Sequence, residues 1–103
     1  MNDLSNNIKF SYLYRDAGNY KQFGFEIFSN TKEISVLEIE KSIKVKLIDE
    51  MYFVPKYWNL KELYKYSYNP ELDLDWHEFE NIELTNDNIT TDIDIEQFLN
   101  SIN

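Results

Sequence analysis

Carboxylates are the chemistry-bearing side chains of this sequence, and one stretch concentrates them. Residues 66–103 hold Glu71, Asp73, Asp75, Glu78, Glu80, Glu83, Asp87, Asp92, Asp94 and Glu96, and no Lys or Arg. Acidic groups so spaced can ligate a cation, work as an acid–base pair, or present negative charge to a basic surface. The first use has little support. Asp73-x-Asp75 and Asp92-x-Asp94 each bring two carboxylates together, but neither extends to a calcium loop with its central Gly and distal Glu. No metal site is expected.

The second use fares no better. His77 and Glu78 are adjacent, and neighbours on a strand point to opposite faces, so they would not meet. The chain has no Cys, one His and two Gly. That leaves few parts for a nucleophile–base pair, a metal set or a phosphate loop. Two carboxylates could still act as a hydrolase pair, but a domain this small rarely has the cleft for it. The expectation is a protein that is not an enzyme, with no catalytic residues and no cofactor.

The third use remains. The set Glu71, Asp73, Asp75, Glu78, Glu80 and Glu83 surrounds Trp76. Alternate strand residues lie about 6.6 Å apart, close to twice the phosphate spacing along one DNA strand. Asp73, Asp75, Glu78 and Glu80 could therefore imitate a phosphate backbone and occupy a groove meant for nucleic acid. The plainer reading is a charged strand edge that deters aggregation. Tyr64, Tyr66 and Tyr68 precede this set, alternating with Lys65 and Ser67. With Tyr52, Phe53, Tyr57, Trp58, Lys56 and Lys61 they resemble a stacking platform for single strands. A net charge of −9 argues against direct contact with nucleic acid. Tyrosines also suit core packing and protein interfaces.

These residues need a scaffold. At 103 residues, 43% hydrophobic and 17% aromatic, the chain reads as a single globular domain over 1–103, with the polar residues 1–7 expected to be flexible. The first 65 residues carry nine acids and ten bases, so the imbalance belongs to the C-terminal third. No signal peptide and no membrane-spanning run is expected, which makes the cytoplasm the default location and a membrane partner unexpected.

Ile8, Phe10, Tyr12 and Tyr14 alternate with Lys9, Ser11 and Leu13, which predicts a strand with an aromatic face. A turn at 15–19 follows, with Gly18 or Asn19 suited to positive φ. There Asp16 would cap the turn and Arg15 would pair with Asp16. Tyr20 to Phe28 is a second strand, with Phe23, Phe25 and Ile27 on one face, so the two should form a hairpin. Ser35 and Glu38 have capping-box spacing and open a helix with Val36, Ile39, Ile43 and Leu47 as its stripe. Met51–Val54 is a short strand, 64–68 another, with Asn69-Pro70 a turn between it and the acidic set. From Leu72 to Ile82 the period shifts from two to three, which a bulged strand near His77 would reconcile; a short helix is the rival. Thr91 or Asp92 would cap a last helix, where the carboxylates at 92, 94 and 96 suit the helix dipole. The expected fold is α+β: a mainly antiparallel sheet of four to five strands, a central amphipathic helix over 35–49 and a C-terminal helix over 92–102.

Two segments also carry a likeness. Tyr14-Arg15-Asp16 with Asn19-Tyr20-Lys21, and Asp73-x-Asp75-Trp76-His77-Glu78-Phe79-Glu80, resemble a group of small uncharacterised bacterial proteins. The resemblance implies a compact α+β domain and no activity.

The functional expectation is a small acidic inhibitor of a nucleic-acid-handling protein such as a nuclease, of anti-CRISPR, anti-defence or toxin-immunity type. It would bind a basic protein surface through Glu71, Asp73, Asp75, Glu78, Glu80 and Glu83, with Trp76, Tyr64, Tyr66 and Tyr68 as anchors. The alternative is a non-inhibitory interaction module or self-associating subunit that uses its aromatic sheet face, and homodimerisation is compatible with both.

Overall fold

The computed structural model describes residues 6–16, 18–63 and 75–102. Its elements are strand β1 (Asn7–Arg15), strand β2 (Lys21–Phe28), helix α1 (Val36–Lys44), strand β3 (Tyr52–Phe53), a 3₁₀ turn (Pro55–Tyr57), strand β4 (His77–Thr85) and helix α2 (Ile95–Ser101). The four strands form one antiparallel sheet in the order β2-β1-β4-β3. The fold is α+β, as the alternating and helical patterns predict.

β1 runs through the middle and turns Ile8, Phe10, Tyr12 and Tyr14 into the interior. Phe10 is the centre of the core. The rings of Tyr12, Phe53, Trp58, Phe79 and Phe98 are centred 5.4–6.3 Å from it. Ile39 and Ile43 of α1 and Ile95 and Phe98 of α2 close the same core. Edge-on and tilted rings at these separations add to the stabilisation from burial itself.

The hairpin turns as the sequence predicts at Asn19, whose φ is 68°. Asp16 caps it, its Oδ1 accepting from Tyr20 N–H at 3.0 Å. Arg15 does not pair with Asp16; it reaches across the sheet to Glu78 instead. In β2, Phe23, Phe25 and Ile27 share a face, but it is the face turned away from the core. The register sets Gly24 opposite Tyr12 and Phe28 opposite Ile8, so Gln22, Gly24, Glu26 and Phe28 line the core side. The reason lies at Gly24: a Cβ there would stand 2.6 Å from Cδ2 of Leu63. The segment 61–63 can close on the sheet only over a residue with no side chain.

α1 begins where expected, with Ser35 Oγ accepting from Glu38 N–H at 3.2 Å. It ends at Lys44, short of residue 49. Lys46 N–H and Leu47 N–H bond three residues back, to Ile43 and Lys44, which tightens the last turn. The chain then reverses through Asp49 and Glu50, with φ of 54° and 59°. Leu47 still joins the core, through that turn and not through a longer helix. α2 is capped by Asp94, not by Thr91 or Asp92. Asp94 accepts from Glu96 N–H while its own N–H donates to Gln97 Oε1, a reciprocal box. Ser29 Oγ and Thr31 N–H also donate to Asp94 Oδ1, each at 2.9 Å. These long-range bonds fix which acid becomes the cap.

β4 is a bulged strand. Ser11 faces Asn81 and Tyr12 faces Phe79, leaving Glu80 as the extra residue. The expected strand at 64–68 and the turn at Asn69-Pro70 lie outside the described residues. Among the described residues no helix is long and apolar enough to cross a membrane.

Candidate functional site

β4 carries the part of the acidic set that the structure describes, and it separates those residues by role. Asp75 and Trp76 lead into the strand, both half-buried. The Trp76 indole packs on Tyr52 of β3, with ring centroids 5.3 Å apart. Glu78 faces outward between Leu13 of β1 and Tyr52 of β3. Its two oxygens accept from Nε and Nη2 of Arg15 at 2.8 and 3.2 Å, a fork that a carboxylate fits well. Arg15 Nη1 also donates to Asn19 Oδ1, so the hairpin turn orients the guanidinium. Glu80 and Glu83 are exposed, Glu80 on the bulge and Glu83 opposite Lys9. The structure thus brings Asp75, Trp76, Glu78, Glu80 and Glu83 onto one strand and its approach. Glu71, Asp73, Tyr64, Tyr66 and Tyr68 lie outside the described residues.

Two expectations about this row change. Around Trp76 the strand is not an edge, since His77 and Glu78 pair with β1 on one side and β3 on the other. The row is also not uniformly negative: Arg15 neutralises Glu78, and Lys9 stands across from Glu83. From Glu80 onward no described strand covers the far side of β4. Farther along, Asp94 is committed to the α2 cap, and Glu96 lies 3.6 Å from Lys32. Burial works against the Asp94 charge, but hydrogen bonds from Thr31, Glu96 and Ser29 outweigh it and hold the carboxyl below its usual range.

His77 and Glu78 do occupy opposite faces. His77 is fully buried, against Tyr14 at 4.9 Å, Tyr12 at 6.0 Å and Phe53 at 6.1 Å. Leu63 N–H donates to its Nε2 at 3.0 Å. That places the ring proton on Nδ1, which lies 3.2 Å from the Asp75 carbonyl oxygen as its donor. One neutral imidazole therefore joins Leu63 to Asp75, fixing the spacing of two points twelve residues apart in sequence. Burial lowers the His77 pKa; the Asp75 carbonyl and the charges of Glu62 and Asp75 push the other way. No local signal could reveal this role, because its partner Leu63 is supplied by the tertiary fold.

The segment that His77 anchors also walls an open groove of about 870 Å³ beside β2. Lys61, Glu62 and Leu63 form one side and Gln22, Gly24 and Glu26 the other. Tyr12 Oη donates to the Lys61 carbonyl at 2.7 Å, and burial raises its pKa to about 12. The groove walls are of mixed charge. Among the described residues no three His, Cys, Asp or Glu side chains are grouped to hold a metal ion. Comparisons with protein-family models, with curated proteins and with solved structures returned no match.

Proposed function

We propose that this chain is a small acidic binding protein that inhibits a nucleic-acid-handling protein, such as a nuclease, by covering a basic surface on it. The role would be of anti-CRISPR, anti-defence or toxin-immunity type, carried out in the cytoplasm. The observation that carries this reading is the pair Glu80 and Glu83, exposed on β4 without an ion pair among the described residues. They belong to a stretch that has no Lys or Arg after Lys65. Exposed carboxylates on a sheet steer a basic partner and speed association at low salt. Trp76, steadied on Tyr52, is the aromatic anchor beside them.

The test is charge reversal at the exposed positions. Glu78 is excluded, because replacing it would also release Arg15. The tagged protein is used to capture partners from its host lysate, and the captured protein is assayed for nuclease activity with and without the chain. Glu80→Lys with Glu83→Lys is expected to abolish capture and inhibition while leaving the circular dichroism spectrum unchanged. Unaltered binding with unaltered salt dependence would sink the proposal.

A second reading, a non-inhibitory interaction module, is favoured by a different observation: Phe23 and Phe25 are exposed on the outer sheet face. Capture of a partner through those rings with no effect on any nuclease would select it.

A further inference from the structure

The outer edge of β2 has the makings of a strand-pairing interface. Two sets of bonds fix which backbone groups it presents. Asp16 N–H donates to the Tyr20 carbonyl, so even-numbered residues of this strand turn toward β1. Ile27 N–H donates to Thr90 Oγ1 at 2.7 Å, and the Ile27 carbonyl accepts from Thr90 N–H at 3.0 Å, so odd-numbered residues turn outward. Lys21, Phe23 and Phe25 therefore direct N–H and C=O away from the sheet, and no described residue bonds them there. Phe23 is 62% exposed and Phe25 51%, and Tyr20 beside them is 75% exposed. Natural sheets usually blunt such an edge with charge, proline or a covering loop. Here, among the described residues, only Thr90 covers the edge, and it does so at Ile27.

We infer that this edge pairs antiparallel with the same edge of a second copy, joining two sheets across a two-fold axis into a homodimer. The occupant follows from the register. Thr90 blocks pairing at Ile27, so the available residues are 21, 23 and 25. The two-fold axis that uses all three passes at Phe23. It sets Phe23 of one copy against Phe23 of the other and Lys21 against Phe25. Every outward N–H and C=O of the three then has a partner, and the exposed rings cover one another on one face. Lys21 meets an aromatic ring across the seam, as Lys9 already does within the chain, with its Nζ 4.7 Å from the Phe25 ring centre. Electrostatics permit the contact despite the net charge of −9. β2 carries one base and one acid, Lys21 and Glu26, while the exposed carboxylates of β4 lie beyond β1. A closed, isologous arrangement is also the commonest form of self-association.

Sedimentation over a concentration series tests this, together with hydrogen exchange at the amides of residues 21, 23 and 25. The wild-type chain is expected to dimerise, with those amides protected in the dimer. Phe23→Pro removes an N–H that makes no bond to β1, so an edge strand can accept it. Phe25→Lys places a charge in the seam. Each is expected to weaken dimerisation at least about tenfold while the amides shared by β1 and β2 stay protected. Should Phe23→Pro fail to fold, Phe25→Lys decides. A wild-type chain that stays monomeric up to about 1 mM overturns the inference, including the case in which an extended peptide of another protein takes the edge. So does a dimer that survives both substitutions. Partner capture is a separate outcome: the variant with Glu80→Lys and Glu83→Lys should dimerise as the wild type does.

Discussion

β2 and β4 flank the same central strand and treat their polar and apolar side chains in opposite ways. β4 is the acidic strand, yet part of its charge is used internally. Glu78 is held by Arg15, and the bulge at Glu80 keeps Phe79 on the core. β2 is an aromatic strand, yet two of its three phenylalanines, Phe23 and Phe25, stand in solvent while Phe28 is buried and Gly24 lies under Leu63. The charge that looked like an open surface is partly architecture, and the open surface includes two aromatic rings of β2. Residue type sets what a side chain can do, but register decides which face it reaches.

The largest test of that difference compares two phenylalanines one strand apart. Phe10→Ala removes the ring at the centre of the core and leaves a cavity among five others. It is expected to cost about 3–5 kcal/mol in a denaturant titration. A loss below about 1 kcal/mol would mean that Phe10 is not the centre of the core.

Next in size is His77, the bridge between Leu63 and Asp75. His77→Phe keeps the ring volume but leaves the Leu63 N–H and the Asp75 carbonyl without their acceptor and donor. Both groups belong to half-buried residues, so each costs at most about 1–3 kcal/mol. Its pH signature follows from the burial that lowers the His77 pKa below 6.5. The unfolded chain takes up the proton first, so the stabilisation is complete above 6.5 and is lost as pH falls from there toward the folded value. His77 is the one histidine in the chain. Melting temperature should therefore decline in the wild type as pH falls below 6.5, and the decline should be much reduced in His77→Phe. Equal slopes would refute the role given to the imidazole.

Asp94→Ala removes the cap of α2 and the acceptor for Ser29 and Thr31, and should destabilise by about 1 kcal/mol. The folded carboxyl is held low, so its contribution is present above the usual carboxylate value of 3.8 and disappears as pH falls through the lower folded value. Acid titration of the wild type and of Asp94→Ala should converge at the low end.

These residues also show what the sequence could reveal. The β1 alternation and the Ser35–Glu38 spacing are local signals, and the structure follows both. A bulge in β4 was legible as a change of period between Leu72 and Ile82, but it falls at Glu80 and not near His77, because the register against β1 shifts between Ser11 and Tyr12. The cap at Asp94 and the partner of Arg15 were not, because each depends on residues far along the chain: Ser29 and Thr31 for the first, Glu78 for the second. The end of α1 was not legible either, being set by the tight turn through Asp49 and Glu50 that the Ile48–Tyr52 bridge closes. The same holds for the candidate surface. Its charge could be counted from the sequence, but which acids remain exposed depends on where Arg15 and Lys9 fall across the sheet. One clue was present and is easily overlooked: Gly24, a glycine in the middle of an aromatic strand, marks a close approach from elsewhere, and that approach explains why the flanking phenylalanines face outward.

The smallest expected effect is the most informative about β2. Phe23→Ser replaces an exposed ring on the outer face and touches neither the Gly24–Leu63 contact nor the backbone bonds to β1. In the isolated monomer at low concentration its stability should stay within about 0.5 kcal/mol of wild type. A cost close to that of Phe10→Ala would mean that Phe23 is buried in solution, and the contrast between the two strands would fail. A neutral result places the ring outside the folding energetics, so that its presence on an edge that no described strand pairs calls for an explanation in binding and not in stability.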